Sequence, residues 1–376
     1  MAPRRPSRPD DPASPSPDAQ APAAPPLPDL LGLPRARLAE LLAPALDRSF
    51  RVDQVYRALY EQGVREIEGM TALGKPLRAE LARRHRIGIP AVDTRHVAQD
   101  GTTKYLFRLG DGASVEAVDI PDGARRTFCI SSQAGCAMAC RFCVTGFWGA
   151  GRDLTAGEIV GQVLAMAGRL GGQQSLNVVF MGMGEPLLNL DAVEDALTIL
   201  GEWISLRRIT VSTVGVVPGI RRIAGWERRP NLAVSLHAPD DARRSELMPV
   251  NRSWPIAELL DALRGFPLEP GRRLTFEYLL IRGFNDAPSD ADALARLLSG
   301  LRAKVNLIPV NPDPVLGERM VPPDPEVVVS FADRLRARGM VATVRRRRGD
   351  DVSAACGQLR AFARDPRGFR RSNLSW

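Results

Sequence analysis

Apolar residues recur at helical spacing in RARLAELLAPAL and VDQVYRALYEQGV, and again in GKPLRAELARRH, whose end is rich in arginine. These stretches predict a small helical module over residues 29–95. From 102 to 132 the period shortens to two. TKYLFRL, SVEAVDI and RTFCISS alternate polar and apolar positions and are separated by Gly and Asp. That alternation predicts a β-meander, an extension over 96–126 that leads into a core beginning at residue 127.

Beyond the meander the pattern becomes a regular βα rhythm. LNVVFMGM (176–183), RITVSTVG, NLAVSLHA (231–238), RLTFEYLLI (273–281) and KVNLIPV (304–310) read as buried strands. LDAVEDALTILGEW, PIAELLDALRGF, DADALARLLSGL and a stretch near 325–339 read as the helices between them. Strands alternating with helices of this length make parallel βαβ units. With TFCIS as the first strand there are about six units, too few to close an eightfold barrel. The predicted fold class is therefore α/β: a partial, open (β/α)6 TIM-like barrel over 127–348, preceded by the helical module and the β extension. In such folds the chemistry gathers at the carboxyl ends of the strands. Residues 349–376 form a separate C-terminal segment. Residues 1–28, rich in Pro, Ala, Asp and Ser, are expected to be disordered.

Charge changes the picture only in part. The 376 residues carry a net charge of +8, and the only lysines are Lys75, Lys104 and Lys304. The arginine excess fits a GC-rich genome, and equally a polyanionic partner whose phosphates match guanidinium forks. Arg345 to Arg348 form an unbroken run, which reads either as a solvated face or as a phosphate contact. No apolar run is long enough to span a membrane, and no apolar segment follows the basic start as in a secretory signal. A cytoplasmic, reducing setting is expected, with no disulfide framework.

The cysteines carry more. Three of five, Cys136, Cys140 and Cys143, fall in CAMACRFC, in the loop after the first core strand. A structural zinc site wants four ligands, commonly two close pairs, and the chain offers no second pair. Thiolates also hold iron–sulfur clusters, and three on a four-iron cluster leave one iron open to an external ligand. The spacing favours the cluster, with zinc and ordinary thiols as the alternatives. Thr155 and Glu158, at capping-box spacing, should start a helix that fixes the end of this loop.

The CxxxCxxC loop, followed by GMGEPLLN at the end of the next strand, resembles that of radical S-adenosylmethionine enzymes. The ordered set CISSQAGCAMACRFC, NVVFMGMGEPLLNL, VSTVGVVPG, VSLHAP, VNLIPVNP and RGDDVSAACGQL resembles, more narrowly, the RlmN/Cfr family of RNA adenine methyltransferases, from about residue 29 to 362. The proline-rich start has no counterpart in that pattern.

The resemblance implies a radical-SAM barrel holding one [4Fe-4S] cluster on Cys136, Cys140 and Cys143, with two S-adenosylmethionine molecules used per turnover. It implies cofactor contacts at Gly184, Glu185, Ser212, Ser235, Leu236, His237 and Asn311. It also gives the two remaining cysteines work, although each, read alone, is an ordinary small core residue. Cys356 is methylated, its methyl group is activated by a 5′-deoxyadenosyl radical, and the carbon adds to adenine, joining protein and RNA. Glu116, otherwise an outward-facing strand charge, takes the ring proton. Cys129 then attacks Cys356, forming a transient disulfide as product leaves. The implied activity is methylation of carbon 2 of adenosine in 23S rRNA and in tRNA. The implied partners are those RNAs and a flavodoxin- or ferredoxin-type electron donor, with no membrane and a monomeric chain. Two rivals stand beside it: methylation at carbon 8, as in the antibiotic-resistance branch, and a non-enzymatic, metal-stabilised RNA-binding protein.

Overall fold

The computed structural model describes residues 27–46 and 48–359. The disorder expected of the proline-rich start thus falls outside the described residues, apart from Leu27 and Pro28, and so does the chain after Leu359.

Three helices come first: α1 (Arg35–Leu42), α2 (Phe50–Tyr56), which continues through a π-helical turn (Arg57–Glu61), and α3 (Lys75–Arg84). Four strands follow: β1 (Ala91–Val97), β2 (Thr103–Arg108), β3 (Ser114–Asp122) and β4 (Arg125–Cys129). β1 begins inside the stretch expected to be helical. It is exposed along its whole length, so the alternation that marks a half-buried strand is missing from its sequence.

Helices α4 (Val144–Trp148) and α5 (Ala156–Ala167) lead to β5 (Leu176–Phe180). Then come α6 (Leu190–Leu200), β6 (Ile209–Thr213), α7 (Val217–Ala224), β7 (Asn231–Ser235), α8 (Asp241–Leu247) and α9 (Ile256–Arg264). The last elements are β8 (Leu274–Leu280), α10 (Pro288–Leu297), β9 (Ala303–Pro309), α11 (Pro325–Ala337) and β10 (Val341–Val344).

All ten strands join one sheet in chain order. β1 to β4 pair antiparallel, and β4 to β10 run parallel. The six βα units from β4 to β9 match the rhythm of the sequence. β1 and β10 are the two edges of this sheet, so the barrel is open. The meander is continuous with the barrel, because β3 pairs with β4 through Val118 and Cys129.

The helical module sits on α5 through two glycines. A Cβ on Gly32 would lie 2.0 Å from the Gly157 nitrogen, and one on Gly157 would lie 2.6 Å from the Leu31 oxygen. The Gly32 N–H donates to the Tyr60 hydroxyl at 2.8 Å, and Tyr56 donates to Glu202 at 2.8 Å. The expected capping box is present: Thr155 Oγ1 accepts from Glu158 N at 3.1 Å, and the Glu158 carboxylate accepts from Thr155 N at 2.9 Å. A large core runs between sheet and helices. A smaller one, including Cys140, Val144, Leu247, Leu279 and Ile308, packs at the carboxyl end of the strands.

Candidate active site

The parallel strands end around a cavity of about 880 Å³. Gly184 and Glu185 reach it from the turn after β5, Ser212 from β6, Ser235 and His237 from β7, and Asn311 from the end of β9. Cys143 and Cys356 complete this wall, although more than 200 residues separate them. Leu236 is buried behind it, its N–H donating to the Glu277 carbonyl at 3.0 Å. Cys136, Cys140, Cys129 and Glu116 do not line the cavity.

A second space of about 350 Å³ lies against the first, walled by Arg345–Arg348, Pro309 and the Ala354–Cys356 stretch. Ile308, Asn311, Arg345 and Cys356 line both spaces. Cys356 therefore stands in the partition between them. Its segment is tied down on two sides. Val144 N donates to the Gly357 carbonyl at 2.6 Å, and Thr145 Oγ1 to the Leu359 carbonyl at 2.8 Å. Asn311 Nδ2 donates to the Cys356 carbonyl at 3.2 Å. Gly357 adopts φ +82°, where a Cβ would lie 2.8 Å from the Phe142 oxygen.

Glu185 is buried without a cationic partner in ion-pair contact among the described residues. Its carboxylate accepts from Leu187 N at 3.0 Å and Val214 N at 2.8 Å, yet burial pushes its pKa up to about 7. His237 sits at φ +61°, its ring edge-on to Phe142 with centroids 4.5 Å apart. Its Nδ1 accepts from Leu279 N at 3.0 Å, and burial lowers its pKa to about 3. The ring is neutral, with its proton on Nε2. Asn311 Oδ1 is buried with no partner among the described residues.

The cysteine loop folds back on itself. Cys136 N donates to the Gly149 carbonyl at 2.9 Å, and Cys143 N to the Cys140 carbonyl at 3.1 Å. Burial, then the neighbouring thiols, raises the Cys136 thiol to about 12 and holds Cys140 well above the usual thiol range. Burial raises Cys143 as well. Cys129 is buried in the ladder between Val118 and Val179. Burial and then Cys356 push its thiol to about 12. On β3, Glu116 is buried and pairs with Lys104 Nζ at 3.3 Å.

Two stretches match known family models: residues 28–87 the ribosomal RNA large subunit methyltransferase N-terminal domain, and residues 130–298 the radical SAM superfamily. The dual-specificity RNA methyltransferase RlmN of Anaeromyxobacter dehalogenans (strain 2CP-C) is 48% identical over 344 residues, covering 89% of this chain and 92% of that protein. RlmN of Syntrophobacter fumaroxidans (strain DSM 10017 / MPOB) is 48% identical, covering 83% and 92%. The chain belongs to the RlmN family. A radical SAM methyltransferase from Sphaerobacter thermophilus shares its fold, with a TM-score of 0.83, 46% identity, and coverage of 89% of this chain and 99% of that one. RlmN enzymes are radical SAM RNA methyltransferases that use a [4Fe-4S] cluster and S-adenosylmethionine, and the non-enzymatic reading is set aside.

The residues present fit both groups. Buried Glu185 offers an anion with no cation, as a ligand's ammonium requires, and Asn311 Oδ1 lacks a partner. The three loop thiols act on one another electrostatically. A four-iron cube takes its thiolates at separate corners and supplies the positive charge that buried thiolates need.

Cys129 and Cys356 are both free thiols, in line with the absence of a disulfide framework expected from the sequence, and the transient disulfide between them is not seen in this state. The β-ladder holds Cys129, while Cys356 is held by a different set of tethers.

Three charged residues escaped the sequence reading as individuals. Glu277 and Arg345 line the main cavity. The charge of Cys356, then that of Glu277, raises the Arg345 pKa. Asn306 Nδ2 donates to Glu277 Oε2 at 2.7 Å. Glu277 had a signal: it is the one acid in LTFEYLL, a strand buried at every position. Arg244 had none.

Proposed function

We propose that this chain methylates carbon 2 of an adenosine in 23S rRNA and in tRNA, through a one-carbon unit carried on Cys356. The position of Cys356 in the partition between two cavities carries this reading. The main cavity gathers the residues expected to hold S-adenosylmethionine. Four arginines wall the adjoining space, and their guanidiniums suit the phosphates of an RNA chain. The relatives are dual-specificity RNA methyltransferases, which supports two classes of RNA substrate.

When bound through Cys136, Cys140 and Cys143, the cluster and S-adenosylmethionine supply the methyl group and the hydrogen-abstracting radical. Cys356 accepts the methyl because sulfur is a good nucleophile where an electron-poor ring carbon is not. The same sulfur then presents its carbon to the adenine, which must be unstacked to reach it. Glu116 takes the ring proton, its carboxylate held by Lys104 until the base arrives. Cys129, buried beside Cys356, gives up its proton, and its thiolate attacks the Cys356 sulfur, forming a disulfide while the released carbon keeps the bonding pair and takes a proton to become the methyl group. The neutral His237, with Nδ1 fixed by the backbone, presents Nε2–H to the main cavity.

The N-terminal helical module and the basic surface dock the RNA, and residues 349–359 bring Cys356 to the site. A single chain supplies every proposed site residue, which supports a monomer. The electron comes from a flavodoxin- or ferredoxin-type donor. No described helix is long and apolar enough to cross a membrane, and a reducing cytoplasm suits five free thiols. Nucleoside mass spectrometry of RNA from a strain lacking the gene tests the regiochemistry. Loss of 2-methyladenosine is expected. Its persistence, or loss of 8-methyladenosine instead, rejects the assignment.

A further inference from the structure

Adjacent arginines on α8 meet opposite fates. Arg243 makes ordinary ion pairs with Asp240 at 2.7 Å and Asp290 at 2.8 Å. Arg244 turns inward and is fully buried. Its Nη1 donates to Asn251 Oδ1 at 2.6 Å, and its Nη2 donates to the Val214 and Ser235 carbonyls at 2.7 and 3.2 Å. Every one of these acceptors is neutral. Its Nε has no partner among the described residues. Burial lowers its pKa to about 10, which leaves it a cation at neutral pH.

A buried charge with no ion-pair partner is costly, and the carboxylate that acts on Arg244, Asp241, is exposed rather than buried with it. The surroundings show where the counter-charge belongs. Val214 and Ser235, whose carbonyls Arg244 holds, line the main cavity. The end of α8 grips the cysteine loop, as Arg141 N donates to the Leu247 carbonyl at 2.9 Å. Cys140 packs with Leu247, Met248 and Val250, and Arg244 acts electrostatically on Cys140. Three thiolates around an oxidised four-iron core leave a net negative charge, and reduction adds another.

We propose that Arg244 is the built-in counter-charge of the cluster, a positioning residue that favours the cluster's reduced state and so sets its potential. A buried cation stabilises the more negative redox state more than the less negative one. The inference rests on the reading that Cys136, Cys140 and Cys143 hold the cluster.

The test uses the reconstituted, full-length enzyme, with iron and sulfide content and the midpoint potential as readouts. Cys140→Ala first checks the cluster reading: loss of iron supports it, and full retention of iron rejects it independently of Arg244. Arg244→Gln and Arg244→Lys are then compared. Arg244→Gln is expected to shift the midpoint to a more negative potential, while Arg244→Lys, which keeps the charge but loses the fork, stays near the parent value. An unchanged potential in Arg244→Gln, or an equal shift in both variants, overturns the proposal. Should Arg244→Gln fail to fold, Asp241→Asn remains. It keeps the Oδ1 acceptor used by Asn251 and Ile256 and removes the carboxylate that acts on Arg244. It is expected to move the potential in the less negative direction, and no movement or the opposite sign overturns the proposal.

Discussion

Lys104 on β2 pairs with Glu116 on β3 at 3.3 Å, with both side chains buried, and the same ammonium donates to the carbonyl of Ser353 at 3.4 Å. One lysine thus connects the residue proposed to take the ring proton with the segment that carries Cys356. Breaking a buried pair by removing one partner strands the other charge, at a cost of about 3–5 kcal/mol. Lys104→Met should lower stability by about that amount. Glu116→Gln in the same background should recover part of the loss, which chemical denaturation of all four forms of the cycle would measure.

Burial raises the pKa of Glu185 from an ordinary 4.5 to about 7. Between those values the folded chain holds a proton that the unfolded chain has released, so stability falls as pH rises through that window. The loss is on the order of 3 kcal/mol. Cofactor-free protein should show this decline between pH 4.5 and 7, and Glu185→Gln should flatten it. A parallel pH series of denaturation midpoints for the two proteins checks the difference.

Cys129 is buried and its thiol is pushed up to about 12, whereas Cys356 is partly exposed. Iodoacetamide at pH 7–8 should label Cys356 well before Cys129, with Cys129 reacting only after denaturation. Under turnover conditions, Cys129→Ala should accumulate protein joined to RNA, visible as a shifted band on a denaturing gel. Free product at the parent rate would remove Cys129 from the resolving step.

Gly357 holds a positive φ, and a Cβ there would press on the Phe142 carbonyl at 2.8 Å. Gly357→Val adds an unfavourable backbone state, on the order of 1–3 kcal/mol, to a clash with the loop between Cys140 and Cys143. Because the strain is local, global stability should change little. The segment around Cys356 should become readily cleaved in limited proteolysis, and methylation should drop at least tenfold.

Arg346 is exposed on the wall of the arginine-lined space beside the main cavity. Its removal should weaken RNA binding across sequences and lower the slope of log affinity against log salt by about 0.7, the contribution of one phosphate contact on a single strand. Titration of Arg346→Ala at several salt concentrations measures that slope directly.

The period of the apolar residues was enough to establish six βα units and an open parallel sheet, because burying one face of each strand and helix forces that period on the sequence. Thr155 and Glu158 likewise announced their capping box, a contact between residues three apart. The five cysteines were legible as chemistry, since thiols at that spacing have few other uses.

What the pattern withheld was everything set by contacts between distant segments. β1, exposed on both faces, left no alternation to read. Arg243 and Arg244 are the same letter twice, and only tertiary packing paired one with Asp240 and Asp290 and turned the other inward onto the Val214 and Ser235 carbonyls. Glu116 looked like an outward strand charge until Lys104, itself held by the Ser353 carbonyl, paired with it. Cys356 reached the cavity because Asn311, Val144 and Thr145 hold its segment there. Local periodicity records which face of an element is buried, but it does not record what lies against that face, and the site depends on those long-range contacts.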